Sequence, residues 1–521
     1  MSGNRNIVQV KPALDYISTS YSEQMKIEDL ARACINFCEA ERLQLNIIKE
    51  GVYVLRKKML TLVAAGMVAL TAGCGNNINK PDTSGSDMSS SENNVSEKPD
   101  ESSEEVVESP WIDDIDRIKY SLMQSESIGG KSKKKKCISE LNRLKGDIEK
   151  GESDNGTIYC RLREIVSDIG ISHVKLDVSE EYQGDNEVCE LIGKWFGESY
   201  YITQAPEQYA QFLGGTITSI NGYNMSDVLE QYDRIYSNET HGLLKMEFEK
   251  ENSSGIFMRD LKYLGIIEED AKEVTFTIFK DNEINEVTVE PIKLDNSTGT
   301  ISVFDDVFSV SDQLPFSEKV YEQHDKAPLI YVYDEDNRVV YLQYNYGAEK
   351  EREDEYEIND KQLDYDEFFD DMFAYMKENS ESYDKFIIDF RYNTCETAEC
   401  RYNFIEKYKD FLSGQDIRII VGNSTYASAM SFIDVLLKEF EDIKIYGEET
   451  GISIHGYTDA VSKSLENTDS LFYITSGEYT YSTLAKIQED VSKGLIPDNY
   501  ICSRFEDYIN GIDDVYNKAI E

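Results

Sequence analysis

A serine between two alanines, Ala427-Ser428-Ala429, joins the strand-like run "DIRIIVG" (416–422) to the amphipathic stretch that follows it. A hydroxyl carried on a strand-to-helix turn is presented well for nucleophilic attack. It needs a base within hydrogen-bond reach, because a serine alone is a weak nucleophile. Three small residues also suit a closely packed joint with no chemistry. The chain contains four histidines, His173, His241, His324 and His455, so a histidine base must be one of these. Nine cysteines are present, and their spacings match no zinc motif. Cys395 and Cys400 are spaced for a local disulfide in an oxidising compartment, with free thiols as the alternative.

The elements that must position these groups follow from composition and periodicity. The 521 residues exceed one ordinary core, which predicts two or three folded units. Acidic residues number 100 against 53 basic, a net charge of -47. A field of that sign repels nucleic acid and anionic lipid, so nucleic acid is excluded as a partner for the body of the protein. Residues 111–170 read as helical, with Leu162, Ile165 and Ile169 at helical spacing. The basic run "KSKKKK" (131–136) reads as a solvated loop or helix face. From about 195 to 295 strands and turns dominate. "GGTITSING" ends in an Asn-Gly turn, and "EVTFTIF" with "INEVTVEPI" forms a hairpin around "KDNE". From about 328, strands at "LIYVYD", "VVYLQYN", "FIIDFR", "DIRIIVG" and "IKIYG" alternate with helices near 366–379, 398–412 and 428–440. Such alternation predicts a partly parallel sheet, whose ligands bind at the carboxyl ends of the strands. Ser428 and Asn393 each follow such an end.

The amino-terminal region has a different character. Residues 55–74, "LRKKMLTLVAAGMVALTAGC", place a basic stretch, an apolar stretch and small residues before Cys74. That is the layout of a secretory signal, and the apolar stretch is short for a membrane span. Its ending resembles a bacterial lipobox, which implies lipidation of Cys74 and an extracytoplasmic, lipid-anchored protein. Residues 75–110 are rich in Ser, Asn, Glu and Pro and read as a disordered tether. Upstream, residues 7–34 resemble the opening helices of AraC-type DNA-binding domains, without the recognition helix that base readout requires. Residues 1–54 are read as a fused helical remnant or as the product of a start placed too early, with a helical extension on a cytoplasmic protein as the alternative.

Several stretches, in order, resemble the tail-specific (C-terminal processing) and tricorn-core serine peptidases: "LREIVSDIGISHVKL" (162–176), "GGTITSINGYNMSDVLEQ" (214–231), "FIIDFRYN" (386–393), "STYASAMSFIDVLLKEFEDIKIYGEETG" (424–451) and "KGLIPDNYI" (493–501). The resemblance implies an α/β (α+β) fold with an N-terminal helical subdomain (111–194), a PDZ-like β-rich segment (195–300) and a C-terminal αβ sandwich (301–521) with a mixed, partly parallel sheet. It implies a serine endopeptidase acting on peptides or protein C-termini through an acyl-enzyme, without metal or organic cofactor. Ser428 falls where the family places its nucleophile. The lysine base of the tail-specific branch is absent, since Ser453 occupies its place. The tricorn-like branch uses a histidine preceded by a serine, which implies His173 as base and Ser172 as its support. Glu489, with Asp490 behind it, is the implied relay carboxylate. Ala429, Asn393 and Cys395 fall at the oxyanion and substrate positions. Where the family has Gly-Gly, this chain has Cys395-Glu396, and a non-glycine there restricts the backbone that an oxyanion hole uses. The alternative is therefore a catalytically inactive, peptide-binding surface lipoprotein of the same fold.

Overall fold

A computed structural model describes residues 109–521 apart from 126–127, 129–130, 295–298, 303–328, 346–356, 359–360, 363–364 and 394–398. The readings on residues 1–108, including Cys74, and those on Cys395, Glu396 and His324, lie outside the described residues. So does the Cys395–Cys400 pairing.

The chain is a mixed α/β protein with several sheets. Its first elements are α1 (Trp111–Gln124), α2 (Lys131–Glu149) and α3 (Asn155–Ser167). Helix α1 buries Trp111, Ile115, Ile118 and Leu122, the three-and-four spacing of one helical face. Asp154 caps α3 by accepting the Thr157 N–H at 2.7 Å, and α3 buries Ile158, Leu162 and Ile165. The basic run opens α2. Lys133 donates to the Ile169 carbonyl at 3.2 Å, and Lys136 pairs with Asp168 at 2.8 Å. These cations sit at the carboxyl end of α3, where the helix dipole favours them. Gly170, at φ +70°, ends that turn. The short strand β1 (Lys175–Asp177) follows.

A seven-stranded antiparallel sheet comes next, with β2 (Ser199–Ala205), β3 (Thr216–Ile220), β4 (Val274–Lys280) and β5 (Glu283–Val289) side by side. Between β3 and Tyr223–Asn224, Asn221 and Gly222 both take positive φ, as the Asn-Gly turn predicts. Helix α4 (His241–Glu251) packs Phe248 against Tyr200 and Tyr232 in this core. Buried Arg163 of α3 pairs with buried Asp260 at 3.0 Å, which joins the helices to this layer.

The last region holds a six-stranded sheet in the order β6 (Leu329–Asp334), β7 (Val339–Tyr344), β8 (Lys385–Asp389), β9 (Asp416–Val421), β10 (Lys444–Gly447) and β13 (Asn499–Tyr500). Only the β6–β7 pair in this sheet is antiparallel. Side chains alternate across it. Phe386 and Ile388 face the larger core with α5 (Tyr365–Glu378), α6 (Glu399–Leu412) and α7 (Ala427–Glu439), while Ile387 and Ile420 face Val515, Tyr516 and Ala519 of α8 (Asp514–Ile520). A long hairpin, β11 (His455–Leu465) and β12 (Ser470–Thr480), leaves this sheet. Strand β1 pairs with β12 in the register Lys175↔Tyr473 and Leu176↔Phe472. Leu465, Phe472 and Ile474 enter the core of α1–α3. That docking carries the turn before β1 to the carboxyl end of the parallel strands.

Candidate active site

The Ser428 joint is built as a strand-to-helix turn. Strand β9 ends at Val421 and α7 begins at Ala427, with Ser428 its second residue. Thr425 is fully buried and clamps the turn. Its hydroxyl accepts the Gly422 N–H at 2.9 Å and donates to the Phe390 carbonyl at 2.8 Å. Ala427 has φ +35°, a conformation that costs an L-residue about 1–2 kcal/mol. The Tyr481 hydroxyl holds the Ala427 carbonyl at 2.6 Å. Strain fixed by surrounding contacts is common where a side chain is aimed for chemistry. Ser428 itself is half-buried.

Opposite this turn lies His173. Gly170 and the buried side chains of Ile171 and Val174 fix the tight turn that carries Ser172 and His173. The imidazole stacks on Tyr426, with ring centroids 5.3 Å apart, and its Nδ1 lies 3.2 Å from the Tyr426 hydroxyl. Tyr426 is the N-cap residue of α7, two positions before Ser428. Ser172 Oγ lies 2.5 Å from the same hydroxyl and 3.5 Å from His173 Nδ1. Residues 253 positions apart thus meet at the start of the serine helix.

A carboxylate completes the cluster, and it is Glu239 rather than Glu489. Glu239 Oε1 accepts the Ser172 hydroxyl at 2.8 Å and the Ser172 N–H at 3.2 Å. Its Oε2 accepts the Ser453 N–H at 3.4 Å and lies 2.8 Å from the Ser453 hydroxyl, which is also 2.5 Å from the His455 carbonyl. Glu239 is placed by its neighbour Thr240, which caps α4 at 3.1 Å and donates to the Gly451 carbonyl at 2.9 Å. Burial, then the Glu239 charge, pushes the Tyr426 phenol well above its ordinary range, so the phenol keeps its proton. Glu489 is exposed on the turn after Leu484–Ile487, and Asp490 beside it holds Ser492 and Lys493. Sequence reading missed Glu239 because "SNETHG" carries no motif; its signal was only an acid preceding a Thr N-cap. It missed Tyr426 because an aromatic before a helix reads as packing.

The Ala429 N–H donates to the Tyr426 carbonyl at 2.9 Å, within the first turn of α7, so that group is engaged locally. Asn393 is fully buried. Its amide donates to the Tyr344 carbonyl at 2.8 Å, and its carbonyl accepts the Tyr426 N–H at 3.0 Å. Asp389 and Arg391 lock α8: the guanidinium spans Asp389 at 2.5 Å and Asp513, the α8 cap, at 2.6 Å. "GEETG" and "KGLIPD" pack on each other, the Thr450 hydroxyl accepting the Leu495 N–H at 2.7 Å. A Cβ on Gly494 would lie 2.2 Å from the Thr450 carbonyl, which is why that contact needs glycine. His455 opens β11 against Thr480, and His241 lies on Glu198. Among the described residues, no group of three or more His, Cys, Asp and Glu side chains is placed to hold a metal ion.

No protein-family model matches the chain, and no curated relative is found. Solved structures similar to it include mature CPAF complexed with lactacystin, at 11% identity and TM-score 0.49, covering 78% of this chain and 96% of that one. The tricorn protease matches at 12% identity and TM-score 0.31, over 78% of this chain and 36% of that one. A Bacteroides fragilis protein described as an S41 protease matches at 12% identity and TM-score 0.28, over 67% and 85%. Likeness at this level leaves the activity to be argued from the site's own residues.

Proposed function

We propose that the chain is a serine peptidase that cleaves peptides or protein C-termini, held outside the cytoplasm by a lipid on Cys74. The observation that carries the reading is the meeting of His173 with the strained turn that presents Ser428. His173 accepts the Ser428 proton as the oxygen attacks the peptide carbonyl, then returns it to the departing amine. Water, activated by the same imidazole, releases the acyl group. The β-rich segment at 195–300 captures a chain end by adding it as a strand to a sheet edge. No cofactor is required by this chemistry.

The test is cleavage of a defined peptide mixture by the purified full chain, read by mass spectrometry. New peptide ends that vanish in Ser428→Ala and in His173→Ala support the reading; equal cleavage by Ser428→Ala refutes it. One observation favours a second reading, a peptide-binding protein without turnover: the Ala429 N–H is already engaged by Tyr426. Peptide binding by wild type without new ends decides for that reading.

A further inference from the structure

The cluster around His173 has a direction, and Glu239 sets it. An ionised carboxylate only accepts hydrogen bonds. Glu239 lies 2.8 Å from Ser172 Oγ, so the Ser172 proton is given to Glu239. Ser172 Oγ is then an acceptor toward the Tyr426 hydroxyl, 2.5 Å away. Tyr426 has one proton, and with it spent on Ser172, the phenol oxygen faces His173 Nδ1 as an acceptor at 3.2 Å. Nδ1 must then carry the imidazole proton, which leaves the lone pair on Nε2. We propose that Glu239 is the positioning residue of this site, fixing the basic tautomer of His173 through two neutral hydroxyls. The inference rests on the Ser428–His173 reading for its catalytic meaning, but the tautomer is a property of the resting protein.

The second oxygen of Glu239 strengthens the assignment. Ser453 stands where a lysine base is found in the tail-specific pattern, and here its hydroxyl and N–H both point at Glu239 Oε2. A lysine at that place would bring a cation against the carboxylate. A serine places no cation there, and its N–H donates to the carboxylate at 3.4 Å. The Ser172 hydroxyl and N–H and the Ser453 N–H aim at this carboxylate, while the Ser453 hydroxyl proton is shared between Glu239 and the His455 carbonyl, 2.5 Å away. Tyr426 is the link that makes the relay reach His173. Its buried phenol is hard to ionise, which keeps it a proton donor to Ser172.

A purely structural role is the competing explanation, since Glu239 also staples the Ser172 turn to the Ser453 loop. The two are separated by reading the tautomer directly. The full chain is labelled with 15N-histidine, and His173 is assigned from the resonance absent in His173→Ala. Spectra are taken at about pH 8, where a histidine of ordinary pKa is neutral. The proposal predicts a protonated Nδ1 and bare Nε2 in wild type, and a mixed or inverted tautomer in Glu239→Leu, which has no acceptor for the Ser172 proton. Tyr426→Phe leaves the staple in place and removes the middle hydroxyl, so it must lose the preference too. Fluorophosphonate labelling falls in both variants by on the order of a hundredfold or more, as for a histidine held in the wrong tautomer. A wild-type imidazole protonated on Nε2, or a tautomer unmoved in Glu239→Leu, overturns the proposal. Nδ1 protonation that responds to both variants, in a wild type that takes no label, refutes the peptidase reading and leaves the tautomer assignment standing.

Discussion

At the scale of single residues, the site joins groups whose roles differ from their sequence appearance. The sequence singled out Ser428, Ser172 and His173, and the structure places Ser172 and His173 against Tyr426 on the turn that carries Ser428. Glu239 and Tyr426 were not singled out, because a carboxylate bridging two distant serines exists only once three segments fold together. Another glutamate gives a pH test. Glu249 on α4 accepts the Trp195 N–H, and burial raises its carboxyl to about 7. A carboxyl raised above its unfolded value favours the folded state when protonated. Its stabilisation is full below about pH 4.5 and is lost as pH rises to about 7. Wild-type unfolding free energy should therefore decline across that window relative to Glu249→Gln. Parallel curves for the two proteins over pH 4.5–7 would contradict the assignment.

At the scale of elements, the alternating strands and helices of the parallel sheet were readable. Their apolar positions follow periods of two and about 3.6, and both sheet faces are covered. The β11–β12 hairpin escaped the reading for a physical reason. The described residues of β11 from Ala460 to Ser464 are exposed, so no apolar alternation marks the strand. Yet this hairpin positions His173, through β1 and through Phe472 buried among α1–α3. Phe472→Ala should cost about 3–5 kcal/mol in urea unfolding, the usual cost of emptying a buried aromatic site. A loss below about 1 kcal/mol would show that the hairpin is not anchored there.

At the scale of the whole molecule, the net charge of -47 opposes compaction. Raising salt from about 0.01 to 0.1 M shortens the screening length from about 30 to 10 Å, so the melting temperature should rise. An unchanged or lower melting temperature would mean that the charges are balanced locally by ion pairs. The fold as a whole brings the helical region, the β-rich layer and the parallel sheet to one point, through Ser172 and His173, Glu239, and Tyr426 with Ser453 respectively. Labelling the full chain with a fluorophosphonate, then mapping the adduct by mass spectrometry, tests that convergence. The expected result is a single adduct on Ser428, lost in His173→Ala. An adduct on another serine, or a folded wild type that takes no label, would contradict it.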